Sequence, residues 1–101
     1  MSEADPLAGF DPAFHQPVRL QIAAVLSNVT DAEFARLREI AGVADSVMSK
    51  HLSALAEAGY VALRKSTVEG RQRTWAVLTP AGRKAFAAHV GALRRLAQAA
   101  G

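Results

Sequence analysis

The stretch DSVMSKHLSALAEAGYV, residues 45–61, decides the fold of this chain. Its apolar residues Met48, Leu52 and Leu55 recur at three- and four-residue steps, as on one face of an α-helix, and a glycine follows the last of them. Three of the chain's six serines lie on the same helix, within residues 46–53. Serine forms helices only moderately well because its hydroxyl competes for backbone hydrogen bonds. The short polar face therefore indicates a requirement other than helix formation.

Two helices are predicted upstream of this stretch. Residues 15–28 carry apolar side chains at the spacing of one helical face. Thr30 and Glu33 have the spacing of a capping box, which predicts the start of a second helix that ends near Ala41. Gly42 is suited to a left-handed cap, and Asp45 or Ser46 is expected to cap the next helix. Two helices joined by about three residues have the spacing of a helix-turn-helix.

Downstream of the quoted stretch the hydrophobic period changes from 3.6 to 2. Residues 60–65 and 72–78 alternate as two strands, and Glu69-Gly70 between them is a turn signal. We therefore predict a β-hairpin that packs against the helices, since a hairpin alone is marginal in water.

Thr79 and Pro80 predict the start of a last helix, at about residues 79–100. The predicted fold is thus mainly α with a small β-hairpin (α+β). It forms one domain over residues 13–101, after a flexible N-terminal segment at residues 1–12.

Charge is distributed unevenly along the chain. Residues 1–45 hold three basic and seven acidic side chains, whereas residues 46–101 hold nine basic and two acidic. A basic half favours an anionic partner, nucleic acid first. The chain has no cysteine, which excludes disulfides and thiolate metal sites, and no apolar run long enough to span a membrane. We expect a soluble, cytoplasmic protein with no membrane partner.

Three segments, VMSKHLSALAEAGYV, EGRQRTWAVLT and LTPAGRKAF, resemble in order and spacing the winged-helix DNA-binding domains of small regulators close to the MarR and ArsR families. The resemblance covers roughly residues 14–97. It implies a winged helix-turn-helix of αααββα order and a homodimeric, repressor-like transcription factor that binds double-stranded DNA. The third helix, residues 45–58, would enter the major groove, and the wing, residues 66–73, would lie along the minor groove.

On the third helix, the side chains away from the buried direction are slim, polar and singly basic. Hydroxyl groups can donate to or accept from base edges, lysine suits guanine, and valine methyls can meet a thymine methyl. The candidate DNA-binding residues of this helix are Ser46, Val47, Ser49, Lys50 and Ser53. Those of the wing are Arg64, Lys65, Arg71 and Arg73. The alternative for the wing is that basic residues only discourage strand-to-strand aggregation.

The last helix carries an apolar stripe longer than a domain of this size needs, and we expect it to hold the dimer together. The predicted interface consists of Phe86, Val90, Leu93 and Ala97, capped by Phe10 and Phe14. Gly91, beside the stripe, would let another backbone approach. Trp75 is expected to pack against the last helix.

Two other readings of the sequence remain open. Winged helices also serve as protein–protein interaction modules, and an ArsR-like metal-responsive repressor is a weaker alternative because the three histidines are isolated. No metal site, cofactor or catalytic residue is expected, since the chain shows neither a phosphate-binding glycine loop nor a Ser-His-Asp set. Almost no helical extension precedes the first helix, so a ligand pocket of the longer MarR type is not carried over. The sequence identifies no small-molecule effector.

Overall fold

The computed structural model describes residue 5 and residues 7–100. The helices and strands within them follow the predicted order with one strand more than the sequence indicates. They are a 3-10 turn at Pro12–Phe14, then α1 (Pro17–Leu26), β1 (Ala32–Glu33), α2 (Phe34–Ala41), α3 (Asp45–Glu57), β2 (Val61–Val68), β3 (Arg71–Leu78) and α4 (Pro80–Ala100). This is a winged helix-turn-helix, which confirms the predicted fold class.

One hydrophobic core joins the helices to the inner side of the sheet. The helices contribute their 3.6-period faces and the strands their alternate residues, because each element must bury its apolar side against another. The buried members are Phe14, Ile22, Ala23, Leu26, Ala32, Leu37, Met48, Leu52, Leu55, Val61, Ala76 and Leu78.

The turn between α2 and α3 sets the direction of α3. Gly42 adopts the left-handed conformation, with φ of 68°, and its amide donates to the Arg38 carbonyl at 2.9 Å. Ala44 is the N-cap of α3 and makes no side-chain cap, so the prediction that Asp45 or Ser46 caps this helix is wrong. Asp45 instead pairs with Arg38 at 2.8 Å and ties the two helices together across the turn.

The capping box predicted at the start of α2 is also wrong. Ala32 and Glu33 form β1, which pairs antiparallel with β3 in the register Ala32 to Ala76 and Glu33 to Trp75, so that the sheet has the order β1-β3-β2. Glu33 makes no side-chain cap on α2, because its carboxylate binds Arg73. Tertiary pairing thus overrides the local capping signal.

The wing hairpin is longer and its turn tighter than the sequence pattern indicates. Strands β2 and β3 pair along their full lengths, from Val61–Leu78 to Val68–Arg71, so only Glu69 and Gly70 remain in the turn. Both have positive φ, 51° and 76°, as in the type I′ turns that match the twist of a hairpin. Glu69 is the one non-glycine residue with positive φ among the described residues.

Residues 7–11, which we call the strap, lie against α4. The Asp11 amide donates to His89 Nδ1 at 3.0 Å, and Arg95 donates to the Ala8 carbonyl at 3.1 Å. Gly9 has a φ of 95°, and a Cβ there would lie 2.8 Å from the Ala88 carbonyl oxygen, so the strap fits closely only with glycine. These contacts hold the strap on α4, and the flexibility expected for residues 1–12 stays a prediction. Residues 1–4 and 6 lie outside the described residues.

Phe14, predicted at the dimer interface, belongs instead to the core of its own protomer. It is 1% exposed and stacks on Tyr60 with ring centroids 5.5 Å apart. Its ring also contacts Phe86 at 5.7 Å and His89 at 5.4 Å. A side chain already buried in this way offers no surface to a partner, so the expectation for Phe14 is corrected.

Candidate nucleic-acid interface

Helix α3 separates an apolar inner side from a polar outer side. Met48, Leu52 and Leu55 are at most 2% exposed. The five residues predicted to contact DNA, which we call the α3 face, are all exposed: Ser46, Val47, Ser49, Lys50 and Ser53. The structure thus brings the predicted helix residues together on one outer surface.

Two clefts flank the α3 face. The first, of about 390 Å³, lies between α3 and the start of α1, and its lining residues are Gln16, Arg19, Ser46, Val47, Lys50 and His51. The second, of about 330 Å³, lies between α3 and the wing and is lined by Phe34, Ser49, Leu52, Ser53, Leu63, Lys65 and Thr74. The α3 face is therefore continuous with α1 on one side and with the wing on the other.

The two sides of the wing carry different side chains. Lys65 pairs in register with Thr74, and both line the cleft beside α3. The next pair, Arg64 with Trp75, points to the opposite side because neighbouring residues of a strand alternate. Of the two basic residues predicted on β2, only Lys65 shares a cleft with α3.

Two of the four predicted wing cations already have carboxylate partners. Arg64 donates to Asp31 at 3.0 Å and lies over the Trp75 ring, 5.7 Å from its centroid. Arg73 Nη1 donates to both carboxylate oxygens of Glu33, at 3.0 and 2.8 Å. Within the described part of the chain, Lys65 and Arg71 form no ion pair, and both are exposed. The wing thus separates into cations held by the protein and cations open to an anionic partner.

Trp75 does not lie where the alternation of strand residues predicts it, against the last helix. Its indole Nε1 donates to the Ser66 hydroxyl at 2.9 Å, across the hairpin. The ring lines a cavity of about 530 Å³ formed by the end of α1, β1 and α2, whose other lining residues are Val25, Val29, Asp31, Ala32, Glu33, Arg36 and Ile40. The expectation that Trp75 packs against the last helix is therefore wrong.

Arg19 and His51 form a contact beside the α3 face that sequence reasoning missed. Arg19 Nε donates to His51 Nδ1 at 3.1 Å and so connects α1 to α3. Burial lowers the pKa of His51, and the positive charges of Arg19 and Lys50 lower it further. A lowered pKa favours the neutral imidazole, whose Nδ1 can accept this hydrogen bond. The only sequence signal of this contact is the presence of a cation, Arg19, in the first turn of α1.

The outer side of α4 is apolar toward its C-terminal half. Leu93 is 38% exposed and Leu96, which was not predicted, is 47% exposed. Phe86 and Val90 are half-buried, and Ala97 is exposed. Phe10 is half-buried in the strap, edge-on to the His89 ring at 5.4 Å. The predicted stripe is therefore half-buried at Phe86 and Val90 and exposed to solvent at Leu93 and Ala97.

A helix-turn-helix, a basic hairpin beside it and a slim polar helix face define the winged-helix class of protein. The family model for the winged helix DNA-binding domain matches residues 18–97. The chain belongs to this family of DNA-binding domains.

The chain is also similar to a protein of known sequence and to solved structures. The uncharacterized protein MJ0432 of Methanocaldococcus jannaschii is 33% identical over 85 residues, covering 84% of this chain and 92% of that protein. A transcriptional regulator homologue from Pyrococcus horikoshii OT3 has the same fold, with a TM-score of 0.80 and 22% identity over 86% of each chain. The PcaV transcriptional regulator of Streptomyces coelicolor, solved with its natural ligand, has a TM-score of 0.72 and 18% identity. That match covers 83% of this chain and 59% of PcaV.

None of the helices within residues 7–100 is long and apolar enough to cross a membrane. The same residues contain no group of three or more histidine, aspartate or glutamate side chains that could hold a metal ion.

Proposed function

We propose that this protein is a sequence-specific regulator of transcription that binds double-stranded DNA as a homodimer. The observation that carries the proposal is the α3 face. Four of its five exposed side chains are short, and the fifth, Lys50, is basic. A helix enters the major groove only if its outer side chains leave room for the base edges. Three serine hydroxyls and Lys50 supply the donors and acceptors, and Val47, 40% exposed, supplies an apolar contact.

The distribution of charge supports a division of the wing in this proposal. Lys65 and Arg71 lack ion-pair partners in the described structure and are assigned to the DNA backbone at the minor groove. Arg64 and Arg73 are assigned to holding the wing on the domain, through Asp31 and Glu33. Phosphate contacts of this kind orient the protein and add affinity, whereas base contacts give specificity.

The proposed dimer forms through α4. Leu93 and Leu96 are large apolar side chains exposed on one helix, and burying them on a second copy would remove them from water. Phe10, Phe86, Val90 and Ala97 complete the proposed interface. A two-fold dimer would present its two α3 helices to successive major grooves on one side of the duplex. A dimer bound over a promoter would exclude other proteins from it, which is the basis for proposing repression.

The test is a selection of bound sequences from random duplex DNA, followed by a titration of the selected duplex at several salt concentrations. If each protomer contacts about three to five phosphates, the logarithm of affinity should fall linearly with the logarithm of salt concentration, with a slope of roughly −5 to −9 for the dimer. A consensus sequence with two-fold symmetry is expected. Binding that does not depend on salt, or failure to bind any duplex, would favour the protein–protein interaction module.

A further inference from the structure

The cleft between α1 and α3 has a lining suited to an anion. Of its six lining residues, Arg19 and Lys50 carry positive charge, and Gln16, Ser46 and His51 are polar. None of the described residues that line the cleft carries a carboxylate. Its position next to Lys50 and Ser46, on the α3 face, places it at the edge of the surface that faces the major groove in the proposed function.

Arg19 is the central group of this cleft. Four other arginines, Arg36, Arg38, Arg64 and Arg73, form ion pairs with carboxylates, whereas Arg19 forms none within residues 7–100. Its Nε is bound to His51 Nδ1, so the guanidinium group is held in orientation. The hydrogen bonds of the described residues leave both terminal nitrogens of Arg19 without an acceptor. A guanidinium oriented in this way can donate two parallel hydrogen bonds to a phosphate.

We propose that the cleft binds a phosphate of the DNA backbone at the edge of each half-site, with Arg19 as its ligand and His51 as the residue that positions Arg19. The inference rests on the proposed function and extends the DNA contacts from α3 and the wing to a third element, α1. The ligand chemistry is a phosphate oxyanion. A DNA phosphodiester is favoured over a free anion because Lys50, Ser46 and Val47 line the same cleft and belong to the face assigned to the bases.

The first experiment measures the salt dependence of binding to the selected duplex for wild type and Arg19→Gln. Removing one phosphate contact per protomer should reduce the magnitude of the slope by about 0.9 per protomer, or nearly two for the dimer. At about 0.1 M salt the affinity should fall roughly 10- to 60-fold, by a similar factor on selected and on random duplex. Lys84→Gln, which removes one exposed charge at the start of α4, is the matched control and should leave the slope unchanged.

His51 is tested by substitutions that separate its acceptor from its ring. In His51→Asn the amide oxygen can take the place of Nδ1 as acceptor for Arg19, whereas His51→Leu has no acceptor. We expect His51→Asn to keep most of the affinity and His51→Leu to lose several-fold. Because Arg19 remains charged in both variants, the slope should change less than in Arg19→Gln. Thermal unfolding of each variant shows whether it is folded. Arg19→Lys keeps the positive charge and should therefore have the wild-type salt slope.

The source of the phosphate is tested with inorganic phosphate as the probe. In phosphate and chloride buffers of equal ionic strength, the wild type should bind DNA equally well. If inorganic phosphate raises the melting temperature of the wild type but not of Arg19→Gln, while the two proteins have the same salt slope on DNA, the cleft is a free-anion site and the proposal is overturned.

The inference also fails if Arg19→Gln keeps the wild-type slope while Arg71→Gln lowers it, since the protein would then bind DNA without using this cleft. Absence of salt-dependent binding by the wild type is a different result, which overturns the proposed function itself.

Discussion

Arg73 and Glu33 are joined by a two-point ion pair, in which Nη1 of Arg73 lies 3.0 and 2.8 Å from the two oxygens of the Glu33 carboxylate. The pair connects β3 of the wing to β1, just before α2. Both side chains are partly shielded, 36% and 23% exposed, and the buried Nε of Arg73 has no hydrogen-bond partner among the described residues. A contact between residues 40 positions apart thus connects the wing to the start of the helix-turn-helix.

Removing the carboxylate from this pair should destabilise the fold. We expect Glu33→Gln to lower the free energy of unfolding by about 1 to 2 kcal/mol, because a partly buried guanidinium loses its charged partner. The double variant Glu33→Gln, Arg73→Met should cost less than the sum of the single variants. Arg64→Met, at the more exposed Arg64–Asp31 pair, is the control and should cost less than about 1 kcal/mol. Additive costs in urea unfolding would show that the Arg73–Glu33 contact contributes nothing.

Lys50 and Arg71 should differ in what they contribute to DNA binding. Lys50→Ala is expected to cost on the order of 1 to 3 kcal/mol on the selected duplex and to relax preference at one base position of each half-site. Arg71→Ala should weaken binding to all duplexes more evenly, since it is assigned to the backbone. Competition assays with selected and random duplexes measure both. Equal losses on the two duplexes for Lys50→Ala would assign this lysine to a phosphate.

The acidic residue in the wing turn should oppose both folding and DNA binding. Glu69 adopts a left-handed conformation with φ of 51°, which asparagine tolerates better. Glu69→Asn should therefore raise stability by about 0.5 to 1 kcal/mol and also tighten DNA binding, because a negative charge at the wing is removed. Glu69→Gln removes the charge but not the backbone strain, so it should improve only affinity. Calorimetry and DNA titration separate the two effects, and unchanged affinity in both variants would place the turn away from DNA.

Stability should decrease in mild acid because the buried His89 must stay neutral. Burial lowers the pKa of His89 from 6.5, the charge of His15 lowers it further, and Asp11 acts in the opposite direction. A folded-state pKa below the unfolded value means that the unfolded chain binds the proton first. The stability is complete above about pH 6.5 and is lost as pH falls through the folded-state pKa.

The measurement for His89 is the melting temperature at about pH 7.5 and about pH 5.5. His89→Asn retains an acceptor for the Asp11 amide but does not titrate. Between these two pH values, the melting temperature of His89→Asn should fall less than that of the wild type. Part of the remaining decrease is expected from His51, whose pKa is also lowered. An identical decrease in both proteins would show that other groups cause it.

The α4 dimer is tested at its exposed residues. Leu93→Glu, Leu96→Glu should give a folded monomer in sedimentation, because two charges would be buried in the proposed interface. Lys84→Glu changes the net charge of the helix by the same amount and should remain dimeric. A folded double variant that is still a dimer would place the interface elsewhere.

Gly91 gives an independent test of the same interface. Among the described residues, a Cβ at this position would meet Arg95 Nη1 alone, at 3.4 Å, so within one protomer alanine fits and should stabilise the helix by up to about 1 kcal/mol. If a second backbone packs on Gly91, as we predict from the sequence, the added methyl should weaken the dimer while the protomer becomes more stable. Sedimentation and unfolding of Gly91→Ala distinguish these effects.

The sequence was most informative where a periodic pattern coincided with burial. Met48, Leu52 and Leu55 are buried, and the opposite residues of α3 are exposed, because the helical period alone decides which side meets the core. The glycine-containing wing turn was likewise predicted from local chemistry. These features depend on residues close together in the chain.

The predictions from sequence were wrong where a long-range contact competes with a local preference. Glu33 has the spacing of a capping residue, but Arg73, 40 positions away, binds its carboxylate. Phe14 stands outside any periodic segment, so nothing in its neighbourhood indicates that Tyr60 and Phe86 enclose it. Strand β1 has only two residues, too few for an alternating pattern to be recognised.

The contact between the Ala8 carbonyl and Arg95 joins residues 87 positions apart. During synthesis the strap leaves the ribosome before its docking surface at Ala88, His89 and Arg95 exists. The helix-turn-helix and the wing can therefore assemble while residues 7–11 are still free. Closing such a long loop is slow compared with forming local contacts. The strap is thus expected to be among the last segments to reach its native position. It should be exposed to cellular proteases until α4 is complete.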